Sequence, residues 1–282
     1  MEPSDLRWLA GLLEGEGTFL RPVPSAPRAP LIRLAMTDHD VVRRAAGLLE
    51  RSVVSAEGGR VHGHRTVFMV TVKGAPAISW MRVLRPYLST TRRAQVDRSL
   101  ACSQVAPRQT PIEPAEAAFA AELVAGDGPC DEDWLAGLLE GEAWFGVAST
   151  GQHHYPCIKL EMCNEEVVRR AADLLGVDRV WRRRDARGTT RGWNETFGVS
   201  VRGARAATLM RGLRGRMGQR RMASIDRALA AYTPHRLVDP PDDCIVIACG
   251  EPHKARGLCH KHYMTWSRDR RAGKAARIRA LR

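Results

Sequence analysis

The sequence contains no run of about 18 apolar residues, so nothing in it reads as a membrane-spanning helix. Its opening residues, Met1-Glu2-Pro3-Ser4-Asp5, lack the basic start and apolar stretch of a secretory leader. The expectation is a cytoplasmic or nucleoid protein, in which the 7 cysteines do not form a disulfide framework. Lysine is scarce: of 44 Lys+Arg, only Lys73, Lys159, Lys254, Lys261 and Lys274 are lysine, and the other 39 are arginine. A GC-rich coding sequence accounts for a preference for arginine. It does not account for 44 basic against 31 acidic side chains, a net +13, because acidic residues also have GC-rich codons. Residues 250–282 hold ten Lys/Arg and two Asp/Glu, so +8 of the +13 sits in the last 33 residues. A basic chain with a concentrated basic end points to a polyanion, most often nucleic acid.

At 282 residues and 44% apolar, the chain has room for two ordinary domains, or one built twice, plus a small appendage. An internal repeat decides for duplication. Residues 8–17, Trp-Leu-Ala-Gly-Leu-Leu-Glu-Gly-Glu-Gly, return at 134–143 as Trp-Leu-Ala-Gly-Leu-Leu-Glu-Gly-Glu-Ala, an offset of 126. At that offset Met36 meets Met162, and Val41–Ala46 meets Val167–Ala172. Further on the offset is 129, pairing Val72-Lys73-Gly74 with Val201-Arg202-Gly203 and Asp97-Arg98 with Asp226-Arg227. The expected organisation is a first repeat over 1–104, a proline-containing linker over 105–130 with a short helix near 113–124, and a second repeat over 131–238. A cysteine-bearing segment over 239–267 and a basic tail over 268–282 follow.

Each copy is expected to run α-β-β-α-β-β-α-α. In the first, a helix is expected over 5–16, a strand at 18–21 and a loop through the proline-rich 22–30. Residues 31–36 alternate as a half-buried strand, and Asp38 or Asp40 caps the helix that follows. A hairpin of 60–65 with 67–73 and helices over 75–87 and 91–103 complete the unit. In the second copy the half-buried strands are 157–162, with Lys159 and Glu161 outward, and 193–202, with Thr196, Gly198, Ser200 and Arg202 outward. Four antiparallel strands per copy, covered on one face by helices, make an α+β fold.

Gly11 and Gly15 share one helix face, as do Gly137 and Gly141. Each glycine costs roughly 1 kcal/mol against alanine in a helix interior, so four of them need a reason. Small residues on one face let two backbones approach closely, and the natural partner of the first helix is its own duplicate. That pairing sets Glu16 and Glu142 side by side at helix C-termini, where the dipole disfavours negative charge. A shared divalent cation relieves the repulsion, and Mg²⁺ is commonly held by one or two carboxylates.

Residues 9–17 and 135–143 match, position by position, the nine-residue motif of the LAGLIDADG homing endonucleases. The chain resembles the two-motif, single-chain form of that family over about 5–235. The resemblance implies two pseudo-symmetric αββαββα repeats forming a saddle over double-stranded DNA. It implies a monomer that makes a staggered double-strand break by sequence-specific, Mg²⁺-dependent phosphodiester hydrolysis. It further implies that the eighth motif residues, Glu16 and Glu142, bind the catalytic metal. Both acids are Glu rather than Asp, and the ninth position of the second motif is Ala143 rather than Gly. Lys73 and Arg202, at equivalent strand ends, are the candidates for the basic residue the family carries near each site. A β-ribbon fits the major groove, which makes Arg33, Arg60, His62, Lys159, Arg182, Arg183, Arg184, Arg187 and Arg191 candidate DNA contacts. The alternative is a cleavage-inactive relative acting as a maturase or regulator, which loss of both motif acids would signal; neither is lost.

Cys244, Cys249, Cys259 and His262 follow the spacing C-x4-C-x9-C-x2-H. Thiolate and imidazole ligands suit tetrahedral Zn²⁺, and a segment too short for its own core would draw its folding energy from the metal. His260 and His253 are alternative fourth ligands. Residues 257–266 resemble the small C-terminal zinc-knuckle motif of phage-type endonucleases. The basic tail is expected to add salt-dependent, sequence-independent phosphate affinity.

Overall fold

The structure, a computed structural model, describes residues 1–21, 30–56, 66–102, 131–150, 153–183, 195–232 and 241–280. The chain divides into two compact units, Met1–Tyr232 and Thr233–Arg282. The expected loop at 22–29, strand at 60–65 and linker helix at 113–124 lie outside the described residues.

In the first unit, copy one runs α1 (Pro3–Gly15), β1 (Gly17–Leu20), β2 (Leu31–Met36), α2 (His39–Leu48), β3 (Val54–Ala56), β4 (Val67–Lys73), α3 (Ala75–Leu84) and α4 (Thr90–Ala101). Copy two repeats it as α5 (Asp131–Glu142), β5 (Ala143–Thr150), β6 (His153–Met162), α6 (Glu165–Leu175), β7 (Trp181–Arg183), β8 (Thr196–Arg202), α7 (Gly203–Leu213) and α8 (Gln219–Ala230). Each copy forms a four-stranded antiparallel sheet, ordered β1-β2-β4-β3 and β5-β6-β8-β7. The fold is therefore two pseudo-symmetric mixed helix-and-sheet repeats, and β4 pairs with β2 on one side and with β3, at 54–56, on the other.

Alternation builds one face of each sheet into the core. Ile32, Leu34 and Met36 of β2 and Val70 and Val72 of β4 are buried beneath the helices, as are Ile158, Leu160, Val199 and Val201 in copy two. The opposite face presents the row Thr18–Arg33–Thr71, and its counterpart Trp144–Lys159–Ser200.

Helices α1 and α5 join the copies. A Cβ on Gly11 would fall on the carbonyl oxygen of Trp134, and one on Gly137 on the carbonyl oxygen of Trp8. The flanking leucines of both helices, Leu9, Leu12, Leu135, Leu138 and Leu139 among them, are buried in one continuous core. Across the seam Arg7 Nη2 donates to Asp133 Oδ2 at 3.4 Å. These two positions are equivalent in the repeat, so a second copy of α1 in place of α5 would oppose Arg7 with Arg7. The charge pair favours pairing within the chain over pairing with another molecule.

The expected helix cap at Asp38 is corrected. Asp38 occupies the N-cap of α2, but its side chain makes no cap hydrogen bond. Its carboxylate accepts from Arg220 Nε at 2.8 Å, and that of Asp40 accepts from the Gln219 N–H at 2.6 Å. Both acids thus serve the start of α8 in the other copy. Glu166 does the same for the Thr90 N–H of α4 at 2.9 Å.

The second unit has a small core of Cys244, Leu258 and Cys259, against which Val246, Cys249, Tyr263 and Trp266 pack. Its helix α9 (His260–Arg271) runs across the boundary expected between 267 and 268. No helix among the described residues is long and apolar enough to cross a membrane.

Alanine at 11 or 137 gains about 1 kcal/mol of helix propensity but forces two backbones apart, which costs about 1–3 kcal/mol or more. Gly11→Ala and Gly137→Ala are each expected to lower the urea midpoint of unfolding. Gly47→Ala, where nothing lies within 4 Å of an added Cβ, is expected to leave it unchanged or raise it.

Candidate functional site

Because α1 and α5 end at the same place, their last carboxylates cross over. Glu142 lies against Gly15, whose Cβ would stand 2.7 Å from Glu142 Cγ, and Glu16 lies against Gly141, again at 2.7 Å. The second glycine of each motif is thus a slot for the opposite acid. Burial pushes the Glu16 carboxyl above its ordinary value of 4.5, against the lowering charges of Arg221, Arg220 and Arg92. Burial also raises Glu142, and the charge of Glu16 raises it further. The two acids face one another from opposite copies, as the repeat implied.

The sixth motif residues have a different task. Glu14 accepts from the Ser89 N–H and the Ser89 hydroxyl, both at 2.7 Å, so it caps α4. Glu140 accepts from the Gly218 N–H at 2.6 Å and caps α8. Both are fully buried side chains with raised pKa, chiefly from desolvation. They are tied into the fold, which leaves Glu16 and Glu142 as the acids free to serve a ligand.

Sequence reasoning missed two arginines that complete this arrangement. Arg92 donates to the carbonyl oxygens of Glu14 and Gly15 at 3.0 and 2.9 Å. Arg221 donates to those of Glu140 and Gly141 at 2.9 and 2.8 Å. Each guanidinium satisfies carbonyls that a helix C-terminus leaves unpaired and offsets its negative end. Each also lowers both glutamates. The signal was present: Arg92 and Arg221 match at the offset of 129, three residues after each cap.

Lys73 and Arg202 are exposed at the ends of β4 and β8. The register puts Lys73 opposite Leu31, in the row of Leu20, three residues along β1 from Gly17. Arg92 and Arg221 lower both glutamates, and Arg220 lowers Glu16. Arg202 stands opposite Cys157 in the β6–β8 register, and burial raises the pKa of that thiol against the lowering charge of Arg202.

Of the candidate groove residues, Arg33 is exposed on the outer face of its sheet. Lys159 pairs with Glu161 at 3.0 Å and stands 5.3 Å from the Trp181 ring. Arg182 pairs with Glu195, and Arg183 lies 4.0 Å from Glu161. Arg60, His62, Arg184, Arg187 and Arg191 lie outside the described residues.

In the second unit the Sγ atoms of Cys244, Cys249 and Cys259 and a ring nitrogen of His262 all lie within 4.8 Å of one another. Cys249 and Cys259 Sγ are 3.8 Å apart, and His262 Nδ1 is 3.2 and 3.4 Å from Cys244 and Cys259 Sγ. Zn–S bonds of about 2.3 Å in a tetrahedron put sulfurs about 3.8 Å apart, so the set fits that ion. Against the desolvation of its burial, backbone N–H groups of Cys259 and Val246 and the His262 ring lower the Cys244 thiol to about 6. His260 is exposed, and His253 Nε2 is buried without a hydrogen-bond partner. Neither joins the cluster, so the fourth position belongs to His262.

A carboxyl whose pKa is raised by folding holds its proton more tightly in the folded chain. Stability then falls as pH rises from the ordinary value of 4.5 through the raised one. In metal-free buffer Glu16→Gln and Glu142→Gln are expected to raise the Tm at pH 7 and to flatten its fall between pH 5 and 7. A change of 1 kcal/mol corresponds to about 2–4 °C in a unit of this size. Thermal denaturation across that pH range measures it.

No protein-family profile matches the sequence, and no curated protein matches it. Solved structures do. The LAGLIDADG homing endonuclease I-GzeII in complex with a DNA target is 12% identical, covering 80% of this chain and 89% of that one, with a TM-score of 0.48. I-LtrWI bound to target DNA is 15% identical over 81% and 90%, with a TM-score of 0.48. The meganuclease I-AabMI bound to uncleaved DNA is 13% identical over 83% and 99%, also with a TM-score of 0.48. The paired motif at 9–17 and 135–143 resembles that of the LAGLIDADG homing endonucleases.

Proposed function

We propose that the chain is a sequence-specific, divalent-metal-dependent DNA endonuclease of the homing type, making a staggered double-strand break as a monomer. The observation that carries this reading is the crossing of Glu16 and Glu142, two half-buried acids of opposite copies, neither of which has a hydrogen-bonded or ion-paired partner among the described residues. Two carboxylates in one half-buried place fit a hard divalent cation such as Mg²⁺. When bound, the cation supplies charge to a scissile phosphate and acidifies a water.

The chain's own residues do the rest. Glu16 and Glu142 would hold the cation, and protons compete with it for carboxyls whose pKa is raised, so cation affinity would rise with pH. Arg92 and Arg221 fix the helix ends on which those acids stand and keep positive charge beside the phosphate. The outer-face rows Thr18–Arg33–Thr71 and Trp144–Lys159–Ser200, with Lys73 and Arg202, face the duplex and differ between copies. That difference favours a non-palindromic target. Cys244, Cys249, Cys259 and His262 hold a structural Zn²⁺.

Cleavage of a plasmid library in Mg²⁺ tests the activity. Glu16→Gln and Glu142→Gln are each expected to reduce double-strand cutting by at least about a hundredfold, the loss typical of one transition-state contact. Binding in the absence of Mg²⁺ should be retained. Full cutting by both variants removes the site, and no cutting by the wild type favours the maturase or regulator alternative.

Metal analysis of the purified chain should find one zinc per molecule. His262→Ala should lose it, while His253→Ala and His260→Ala keep it. Deleting 239–282 is expected to weaken DNA binding and to flatten the slope of log affinity against log salt.

A further inference from the structure

The basic excess of the second unit is not spread evenly. Helix α9 has its inner side fixed: Tyr263 and Trp266 pack on the core of Cys244, Leu258 and Cys259. Arg256 and Arg270 lie over the Trp266 ring at 5.0 and 5.6 Å from its centre. The opposite side is exposed and carries His260, Lys261, Met264, Arg268 and Arg271. Positions 261, 264, 268 and 271 follow helical spacing, so they form one stripe. Among the described residues no carboxylate pairs with Lys261, Arg268 or Arg271. The one acid of the helix, Asp269, is half-buried and accepts from the Arg277 N–H at 3.4 Å.

A stripe of cations without an acid is complementary to a polyanion. Its middle is not cationic. Met264 is 45% exposed between Lys261 and Arg268. Phosphates have no use for an exposed thioether at the centre of the contact. A base-pair edge in the major groove does, because thymine offers a methyl group there and guanine offers two acceptors to a cation. The helix is 12 residues long, about 18 Å, and an α-helix fits a major groove about 12 Å wide.

We infer that α9 is a second sequence-reading element, which enters the major groove of duplex DNA and contacts base edges through Lys261, Met264 and Arg268. The inference rests on the DNA-binding half of the reading above and is independent of cleavage. Two reading elements on one chain would lengthen the recognised site and raise affinity through effective concentration.

Selection of bound duplexes from a randomised library by the full chain, without chelator or added divalent cation, tests this. The wild type is expected to enrich two blocks of sequence. The Lys261→Ala, Arg268→Ala double variant should keep one block and lose preference in the other by roughly tenfold at each guanine contact. Met264→Ala should lose a thymine preference in that same block. Unchanged resistance of residues 241–280 to limited proteolysis in the full chain establishes that the unit is folded. If the double variant disturbs it, Lys261→Gln and Arg268→Gln singly carry the test. Identical blocks with uniformly lower recovery mean that α9 holds phosphates only, and overturn the inference. A single block that these variants leave intact overturns it as well. A single block that they abolish upholds it and removes DNA reading from the first unit. No enrichment by the wild type overturns both readings.

Discussion

The first unit depends on the approach of two helices until backbone meets backbone. At the Gly11–Trp134 and Gly137–Trp8 contacts there is no room for a methyl group, so only glycine serves. Each glycine forgoes about 1 kcal/mol of helix propensity. The return is a seam lined on both sides by buried leucine, and the two sheets hang from it. The seam also fixes what its ends present. Helices that touch at their middles and end together lay each terminal side chain against the opposite helix, and here Glu142 lies against Gly15 and Glu16 against Gly141.

Carboxylates at converging helix C-termini oppose both the helix dipoles and each other. The fold answers only part of this. Arg92 and Arg221 bond the last carbonyls, and Glu14 and Glu140 are consumed as caps for α4 and α8. Each cap therefore welds the motif helix to the helix that carries its arginine. Among the described residues Glu16 and Glu142 receive no such partner, and desolvation leaves both with raised pKa. A chain selected for stability alone would replace them with neutral residues. Acids retained at a cost to the fold are the usual mark of a functional site.

The repeat, the element order, the glycine seam and the outward faces of β2, β6 and β8 were all legible, because each rests on local periodicity or on self-similarity. The arginine clamps were not. Arg92 meets Glu14 across 78 positions of sequence and looks in isolation like any surface arginine of an amphipathic helix. Asp38 was misread for a related reason. An Asp before a helix predicts capping of that helix, yet its carboxylate finds a guanidinium 182 residues away. Long-range partners override local rules wherever two copies interlock. In the second unit the spacing pointed to Cys244, Cys249 and Cys259 as a cluster, and the coordinates place His262 Nδ1, rather than His253 or His260, among their sulfurs.

Comparing the copies separates scaffold from surface. Arg44 stacks on Trp8, pairs with Asp5 and donates to the Arg216 carbonyl; Arg170 stacks on Trp134, pairs with Asp131 and donates to the Tyr87 carbonyl. Every contact of that latch recurs. The outer faces do not recur. Thr18 corresponds to Trp144, which lies across Gly146, and Met69 corresponds to Gly198, which lies beneath Trp181. The seam explains why this is possible. In a homodimer any change on one face appears on both, whereas Arg7 against Asp133 commits each half to a different partner within one chain. Once the halves cannot exchange, their outer faces are free to become chemically distinct, and a surface that meets two unlike half-sites needs that freedom.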